Sequence, residues 1–419
     1  MSNMLKKSNS LLWLLDPVQS TAESAEDAYR FSGSARSRML PAGIGAAALI
    51  MTLVSWVTDP PRFYISYLIG WTFCLSLTVG GLFFVIIQHL TKAYWSVVIR
   101  RISEALIWSF PLLAVLSIPI LLGMHDLYHW THLELYDPSS EAFDPILAGK
   151  QSYLNTPFFL ARFAAYFLIW SYMAHRLYTL SIRQDVDPDP SIPAQQRKVS
   201  AWGLAVTAVT TSFASFDILM SLDPHWFSTI FGVYFFAGSF LSIMAFTVLI
   251  ALTLRRKGML KDAITLEHYQ DLGKYMFGFI VFWAYIAFSQ YMIIWYANIP
   301  EETMFYRHRF EHGWGLYSAV LLIGHFVIPF FALISRPAKR TLSVLGFMSV
   351  WVLCIHWFDF FWIAMPTQAE HAGFHLVDFT AFIGLFGILV AAVMYRLSRH
   401  SLVPNNDPQL SESLHFTNT

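Results

Sequence analysis

The sequence predicts an all-α, polytopic membrane protein with about ten transmembrane helices. Hydrophobic residues make up 56% of the 419 residues and charged residues only 13%, whereas an ordinary soluble domain carries about 25% charged residues. The second observation is a series of ten apolar runs, each near the length of about 20 residues that a helix needs to cross a bilayer. The runs cover roughly residues 40–58, 64–88, 106–124, 157–181, 200–219, 226–253, 272–297, 315–334, 342–364 and 376–397.

The distribution of basic residues is the third observation, and it predicts how the helices are oriented. In a ten-helix arrangement, 21 of the 27 lysine and arginine residues lie on the side that holds both termini. Basic residues concentrate on the cytoplasmic side of membrane proteins. We therefore predict a polar cytoplasmic arm at 1–38, a membrane domain at 39–397 and a polar, disordered cytoplasmic tail at 398–419.

Composition also argues against several kinds of site. The net charge is zero and gives no indication of a nucleic-acid partner. Cys74 and Cys354 are the only cysteines, so the chain has no motif for covalent haem, an iron–sulfur cluster or structural zinc. We expect no bound metal and no covalently attached cofactor. Pro111 and Pro119 predict that the third helix is interrupted, which membrane helices tolerate when neighbours satisfy the freed carbonyls.

The fifth apolar run ends in a buried acid. Asp217 lies inside the run, where an ionisable group is expensive and is by default a functional candidate. Thr207 and Thr210 fall on the same helical face as Asp217. Such a polar face suits a proton path or a quinone-headgroup pocket, although threonines in membrane helices commonly serve packing. Asp217 is the residue that we predict to accept or relay a proton.

The next few residues form a turn at the membrane boundary. Asp223 directly precedes Pro224, which is the pattern of a helix N-cap followed by proline at the first helical position. We therefore predict that Asp223 caps the sixth helix. His225 and Trp226 then lie at the interface, where tryptophan is common. A functional alternative makes Asp223 and His225 the exit groups for protons that leave Asp217.

The ninth and eighth helices hold a second group of ionisable residues. His356 and Asp359 are three residues apart and share a helical face, so they can share a proton. His325 is predicted at a similar depth on the eighth helix. Histidines that face each other on neighbouring helices could also be axial ligands of a b-type haem. We favour a proton path, because no second matched histidine pair is present.

A weaker route is predicted toward the cytoplasmic side. Tyr285 belongs to an aromatic and polar stripe on the seventh helix, and Lys274 lies at the inner end of that helix. His175 on the fourth helix is the remaining candidate. Aromatic stripes in membrane helices usually serve packing, but a buried tyrosine hydroxyl requires a hydrogen-bonding partner.

Two segments resemble a known family. Ser215–Ser239 (SFDILMSLDPHWFSTIFGVYFFAGS) and Phe288–Thr303 (FSQYMIIWYANIPEET), together with the ten-span layout, resemble the NrfD/PsrC-like membrane subunits of alternative complex III. That complex is a bacterial quinol:electron-acceptor oxidoreductase. The chain is more similar to the shorter of its two such subunits, and the resemblance covers most of residues 40–400.

The resemblance implies two four-helix bundles flanked by two further helices, in the inner membrane of a bacterium. It implies quinol oxidation near the outer side, with electrons passed to an iron–sulfur subunit and to c-type haem subunits. Those partners would hold the redox centres that this chain lacks. The paralogous NrfD-like subunit is a further expected partner, and this chain itself is left with quinone or quinol and membrane lipids. The family's acidic and histidine residues would correspond to Asp217, Asp223 and His225.

Three classes of function follow. The leading one is a membrane subunit of a quinol-oxidising respiratory complex, active only within that complex, which handles quinol, translocates protons or does both. Quinol oxidation releases protons, so such a site requires a base near the headgroup and a path to water. The second class is a secondary transporter, which predicts inverted repeats with matching broken helices. The third is a structural scaffold for partner subunits.

Overall fold

The described part of the chain is a bundle that contains ten helices long and apolar enough to cross a membrane. The computed structural model describes residues 29–187 and 189–418, and within them it contains no strand. The predicted all-α class and the number of helices are therefore confirmed. In chain order the helices are α1 Met39–Thr58, α2 Pro60–Thr91, α3 Tyr94–Leu122, α4 Thr156–Val186, α5 Ile192–Leu222, α6 Phe231–Arg256, α7 Leu266–Ala297, α8 Trp314–Leu333, α9 Leu342–Thr367 and α10 Leu376–Leu397.

Local sequence signals account for several helix ends. Asp59 accepts a hydrogen bond from the backbone N–H of Arg62 and thereby caps α2, which is the usual role of an aspartate at this position. Asn155 caps α4 in the same way, through the backbone N–H of Phe158. The helix α7 ends at Asn298, which takes the left-handed conformation with φ 48°. Asparagine tolerates this conformation better than most residues.

Two helices are irregular, and both irregularities involve proline. The predicted interruption of α3 is present, since its α-helical parts are Val97–Ile107, Phe110–Leu116 and Ile118–Leu122. The helix α8 contains a π-helical turn at Leu322–Val327, directly before a segment with Pro329 near its start. Single π-turns inside α-helices are frequent at functional sites.

The helices form two four-helix bundles. The first consists of α2, α3, α4 and α5, and the second of α6, α7, α8 and α9. The central helices α2 and α6 join the bundles, and they approach so closely that a Cβ on Gly80 would lie 2.1 Å from the carbonyl oxygen of Ser239. Outside the bundles, α1 packs on α10 through Gly45, Gly384 and Gly387, and α10 packs on α2. This arrangement matches the expectation that the resemblance implied.

The ends of the helices define two faces of the molecule. We call the face with the loops after α1, α3, α5, α7 and α9 the distal face, and the opposite one the terminal face. Leu402 donates its backbone N–H to the carbonyl of Tyr29 at 2.7 Å, so both described ends of the chain lie together on the terminal face. Residues 1–28 of the predicted arm lie outside the described residues.

The predicted disorder of the tail is wrong for residues 398–418. Leu402 and Val403 are fully buried. Asp407 forms an ion pair with Arg100, with 2.7 Å between Oδ2 and Nη2, and Ser413 is buried and donates to the carbonyl of Trp95 at 3.2 Å. These contacts explain the order, because a polar segment that satisfies buried arginine and backbone groups is held against the helices.

The predicted cap at Asp223 is also wrong. The sixth helix begins at Phe231 and its N-cap is Ile230, so Asp223 lies eight residues before the helix, at the end of a short 3-10 turn Met220–Leu222. Residues 223–230 instead form a loop on the distal face. The Asp-Pro pattern is shared by caps and turns, and tertiary contacts of this loop select the turn.

Candidate functional site

Asp217 of the first bundle is held by an arginine. It is 1% exposed, and Arg162 of α4 donates to both of its carboxylate oxygens, with Nη2–Oδ1 2.8 Å and Nε–Oδ2 2.9 Å. Tyr166 donates its hydroxyl to Oδ2 at 2.7 Å. A two-pronged arginine–carboxylate contact of this kind is among the stronger polar contacts in proteins. Three donors on one carboxylate, one of them a guanidinium, match its charge and occupy its oxygens.

Arg162 is itself built into the first bundle. Its guanidinium lies 3.9 Å from the ring centroid of Tyr153 and 4.2 Å from that of Phe158, and it donates to the carbonyl of Tyr153. The sequence analysis did not single out Arg162 and missed its pairing with Asp217. The available signal was a basic residue and an acidic residue at similar depth in two consecutive apolar runs.

The threonines of α5 make packing contacts. Thr210 donates to the carbonyl of Val206 in its own helix and accepts from the indole of Trp170 at 2.9 Å. Thr207 is fully buried and its hydroxyl contacts the sulfur of Met173 at 3.5 Å. Both threonines therefore satisfy their hydroxyls against α4 or their own helix, which is the packing role that such residues commonly have in membrane helices.

His225 belongs to an ionic cluster on the distal surface. Its Nε2 lies 2.5 Å from Oδ2 of Asp144, which also caps the short helix Pro145–Lys150. Burial acts to raise the pKa of Asp144, but the hydrogen bonds from His225 and from two backbone N–H groups outweigh it and lower that pKa. Lys150 donates to the carbonyl of Pro224 at 2.7 Å. Asp223 is half-buried and acts electrostatically on Lys150.

The second bundle brings three predicted residues together. His325 of α8 and His356 and Asp359 of α9 are each 1% exposed, and their nitrogen and carboxylate oxygen atoms lie within 4.8 Å of one another. Asp359 accepts hydrogen bonds from the hydroxyl of Tyr234 and from the indole of Trp283, the latter at 3.2 Å. Both donors are neutral, and among residues 29–187 and 189–418 no arginine or lysine nitrogen lies within 4.0 Å of this carboxylate.

The hydrogen bonds of Ser76 assign the tautomer of neutral His356. Ser76 donates its hydroxyl to the carbonyl of Phe73 at 2.9 Å, and His356 Nε2 lies 3.0 Å from the same hydroxyl oxygen. Because the hydroxyl proton is already used, Nε2 carries the proton and donates to Ser76. Nδ1 of His356 is then a buried acceptor without a donor in the structure.

His325 is the least satisfied member of this group. Both of its ring nitrogens are buried without a hydrogen-bonding partner, and its ring stacks on Trp283 with 3.7 Å between centroids. A buried polar group without a partner costs about 1–3 kcal/mol. Such a group is typical of a site that receives a proton, a water molecule or a ligand during function. Its position depends on the π-helical turn Leu322–Val327.

The residues of this group do not fit a haem. The ring of His356 packs against Phe360, with 4.7 Å between centroids, and a Cβ on Gly238 would lie 2.6 Å from its Cε1 atom. With Trp283 covering His325, aromatic side chains occupy the space that a macrocycle would require. The geometry allows a proton or a small ion to be shared by His325, His356 and Asp359.

A cavity of about 470 Å³ lies beside this group. It is mostly apolar and is bounded by α6, α7, α8, α9 and the short distal helix Pro300–His308. Phe288, Phe310 and Leu322 are exposed at its edge, so the cavity opens on the side of the second bundle. Its lining consists of Tyr234, Trp283, Ala284, Ala287, Phe288, Gln290, Tyr291, Tyr306, Phe310, Gly315, Ser318, Ala319, Leu321, Leu322 and Trp362.

The polar groups of the cavity lie at two places. Tyr234 and Trp283 line it and also donate to Asp359, so the cavity wall is in direct contact with the buried acid. On the distal side, Gln290 donates to the hydroxyl of Tyr306 at 3.2 Å and accepts from Ser228 at 3.0 Å. A mostly apolar pocket with a few convergent polar groups is the usual form of a small-molecule site.

The structure does not bring together the three residues of the predicted route toward the cytoplasmic side, which are Tyr285, Lys274 and His175. Tyr285 is 65% exposed, on the outer surface of α7, and therefore needs no buried partner. Lys274 contacts Asp271 at 2.8 Å and Asn418 at 2.7 Å. His175 is exposed and stacks on Trp108, with 5.3 Å between centroids. The described contacts of these three residues hold them at separate places.

Sequence reasoning missed three residues that contact the two buried acids, namely Arg162, Tyr234 and Trp283. Tyr234 lies inside the segment that carries the family resemblance, which was the only signal for it. Comparisons with known proteins add no assignment, because no family model matches the chain and no curated protein matches it significantly.

Proposed function

We propose that the chain is a membrane subunit of a respiratory quinol:electron-acceptor oxidoreductase of the alternative complex III type. In this proposal it binds quinol in the cavity of the second bundle and takes up the protons that oxidation releases. The observation that carries the proposal is the shared wall, in which Tyr234 lines an apolar cavity and donates to the buried carboxylate of Asp359.

The cavity suits a quinol for two reasons. Its apolar, aromatic lining matches a substituted ring, and its opening between exposed Phe288 and Leu322 leaves a way out for an isoprenoid tail. The hydroxyls of Tyr234, Tyr306 and Ser318 and the amide of Gln290 supply the few directional contacts that orient a ring with two oxygens.

Proton transfer follows the hydrogen bonds at the cavity wall. When a quinol hydroxyl gives its proton to the oxygen of Tyr234, that tyrosine passes its own proton to ionised Asp359. Asp359 then passes the proton to His325 or His356, whose unpartnered nitrogens lie within 4.8 Å. Quinol oxidation releases two protons and two electrons, so the relay works twice per quinol. The electrons pass to an iron–sulfur subunit of the complex.

The first bundle has a different role in this proposal. Asp217 is ion-paired with Arg162 and holds α4 and α5 together. The distal cluster around His225 docks a partner or passes protons to water. Both termini face the cytoplasm of a bacterium, and the c-type haem subunits, the iron–sulfur subunit and the paralogous membrane subunit complete the assembly. The charge distribution of the sequence supports this orientation.

Filling the cavity tests the proposal. Ala287 lines the cavity, and in Ala287→Phe a phenyl ring occupies the space that a quinol ring would take. We expect quinol turnover by the intact complex in membranes to fall by at least about tenfold, because a ligand excluded from its pocket loses its contacts.

The matched control is Ala208→Phe, which adds the same ring at an exposed position of α5 and should leave turnover unchanged. Wild-type turnover in correctly assembled Ala287→Phe complexes would show that quinol reacts elsewhere.

A further inference from the structure

Arg309 is a buried cation without an acidic partner. Its guanidinium is 1% exposed and donates to the backbone carbonyls of Phe305, Trp362 and Ile363. Among residues 29–187 and 189–418, no carboxylate oxygen lies within 4.0 Å of it. Burial lowers the pKa of Arg309 to about 9, against the opposing effect of Asp223 and two tyrosines. A buried charge normally has a close counter-charge, and this one does not.

The location of Arg309 relates it to the cavity of the second bundle. Its guanidinium lies 5.1 Å from the ring centroid of Trp362, and its carbonyl accepts a hydrogen bond from Ser318. The cavity is lined by Trp362 and Ser318, by the adjacent residue Phe310 and by Tyr306, three residues earlier in the chain. Arg309 also acts electrostatically on Tyr306 and Tyr234, whose side chains form part of the same lining.

A purely structural role would also account for part of this geometry. The carbonyls of Trp362 and Ile363 lie in the last turns of α9, and a cation near the C-terminus of a helix stabilises its dipole. Capping the helix in this way uses hydrogen bonds from Arg309 to carbonyl groups. It does not supply a carboxylate close to the guanidinium, so the positive charge remains behind the cavity wall without a close counter-ion among the described residues. In a low-dielectric interior such a charge acts over a longer distance than it would in water.

We propose that Arg309 makes the cavity select ring ligands that carry an ionised hydroxyl, such as a deprotonated quinol or an acidic hydroxyquinone. This inference rests on the proposed function for the identity of the natural ligand. The ligand's oxyanion would supply the missing counter-charge, and the polar lining around Tyr306 and Ser318 would hold its oxygen on the Arg309 side. Neutral quinones would enter the same cavity without this contribution.

Two probes that differ by one hydroxyl test the inference. One is a 2-alkyl-3-hydroxy-1,4-naphthoquinone at a pH at which it is ionised in solution, and the other is the same molecule without the hydroxyl. Binding to the purified assembly is measured by quenching of tryptophan fluorescence, since Trp283 and Trp362 line the cavity. We expect the acid to bind at least about tenfold more tightly, because a nearby opposite charge shifts a pKa by about one to three units.

Two variants assign that preference to Arg309. Arg309→Gln should bring the ratio of the two affinities close to one, whereas Arg309→Lys should retain most of it. Arg307→Gln is the matched control, because Arg307 lies on the same short helix but is exposed and paired with Glu311. Its ratio should remain that of the wild type. An unchanged ratio in folded Arg309→Gln overturns the inference.

A second measurement applies if Arg309→Gln does not assemble. The ionised hydroxynaphthoquinone is coloured, so its pKa in the wild-type cavity can be read from its visible absorption and compared with that in detergent micelles. We expect a decrease of at least about one unit. Equal pKa values of the probe in the cavity and in micelles overturn the inference, even if both probes bind. If neither probe binds, the proposed quinol site is contradicted as well. If both probes bind with equal pKa values, only the role of Arg309 is contradicted.

Discussion

The two bundles each bury one aspartate toward the distal face, and they surround it differently. Asp217 in the first bundle receives two hydrogen bonds from Arg162 and one from Tyr166. Asp359 in the second bundle receives its hydrogen bonds from neutral Tyr234 and Trp283, next to two histidines. The donors of Asp359 also line the cavity of the second bundle.

This difference separates a structural acid from a candidate proton acceptor. A carboxylate whose charge is matched by an arginine cannot lose that arginine without a large cost, so it belongs to the packing of its bundle. A buried carboxylate with neutral donors and nearby unpartnered histidine nitrogens has acceptors for a proton within reach. Both acids are buried aspartates toward the distal ends of their helices, so the neighbouring side chains decide the role.

The largest expected effect comes from removing the cation of the first bundle. Arg162→Leu leaves Asp217 buried and uncompensated, and we expect a loss of about 3–5 kcal/mol in the free energy of unfolding. Replacing both members with leucine should recover most of that loss, because no unpaired charge remains. Thermal unfolding of the purified protein in detergent measures both. A double variant as unstable as the single one would contradict the assignment of Asp217 as a structural acid.

The next prediction compares the two acids by the same substitution. Asp359→Asn should lower quinol turnover of the intact complex by at least about a hundredfold, since a positioned general base contributes about 10²–10⁴-fold. Asp217→Asn should reduce stability and leave turnover of the assembled complex near the wild-type value. Turnover is measured per assembled complex. The reverse pattern would return the catalytic role to the first bundle.

A smaller effect is expected where His356 meets α6. In Gly238→Ala the new Cβ would lie 2.6 Å from Cε1 of His356, so the ring must move away from its present position. Overpacking of this kind costs about 1–3 kcal/mol. Gly278→Ala is the control, because a Cβ there meets nothing within 4 Å and alanine favours helix. If both variants unfold at the same temperature, the close packing around His356 has no energetic weight.

The smallest effect concerns Asp144 on the distal surface. Asp144→Ala removes the cap of the helix Pro145–Lys150 and should cost about 1 kcal/mol at pH 7. Asp144→Asn keeps a capping side chain and should cost less. The folded-state pKa of Asp144 is lowered, so its ionic contribution is complete above the unfolded-state pKa of about 3.9 and disappears as the pH falls further.

Unfolding followed between pH 7 and pH 3 checks this sign. The difference between wild type and Asp144→Asn should shrink as the pH approaches the lower end of that range. A difference that does not shrink below about pH 4 would contradict the stabilisation of ionised Asp144 in the folded state.

Much of the fold followed from the sequence for a simple reason. A membrane helix must satisfy its backbone internally and be apolar along its length, so hydropathy alone marks its position. The i, i+3 relation of His356 and Asp359 was predictable because one helix imposes it. The loop at 223–230 was not, because Asp-Pro occurs in both caps and turns, and contacts such as Lys150 with Pro224 select the turn.

The sequence by itself determined ten membrane-crossing helices, the interruption of α3 and the shared face of His356 and Asp359, since these depend only on local composition and helical period. Tertiary structure decided which acid is paired. Arg162 meets Asp217 across 55 residues of chain, and His325 reaches Asp359 through a π-turn. Contacts between helices depend on how each helix is rotated and packed, and no local pattern in the sequence specifies that rotation.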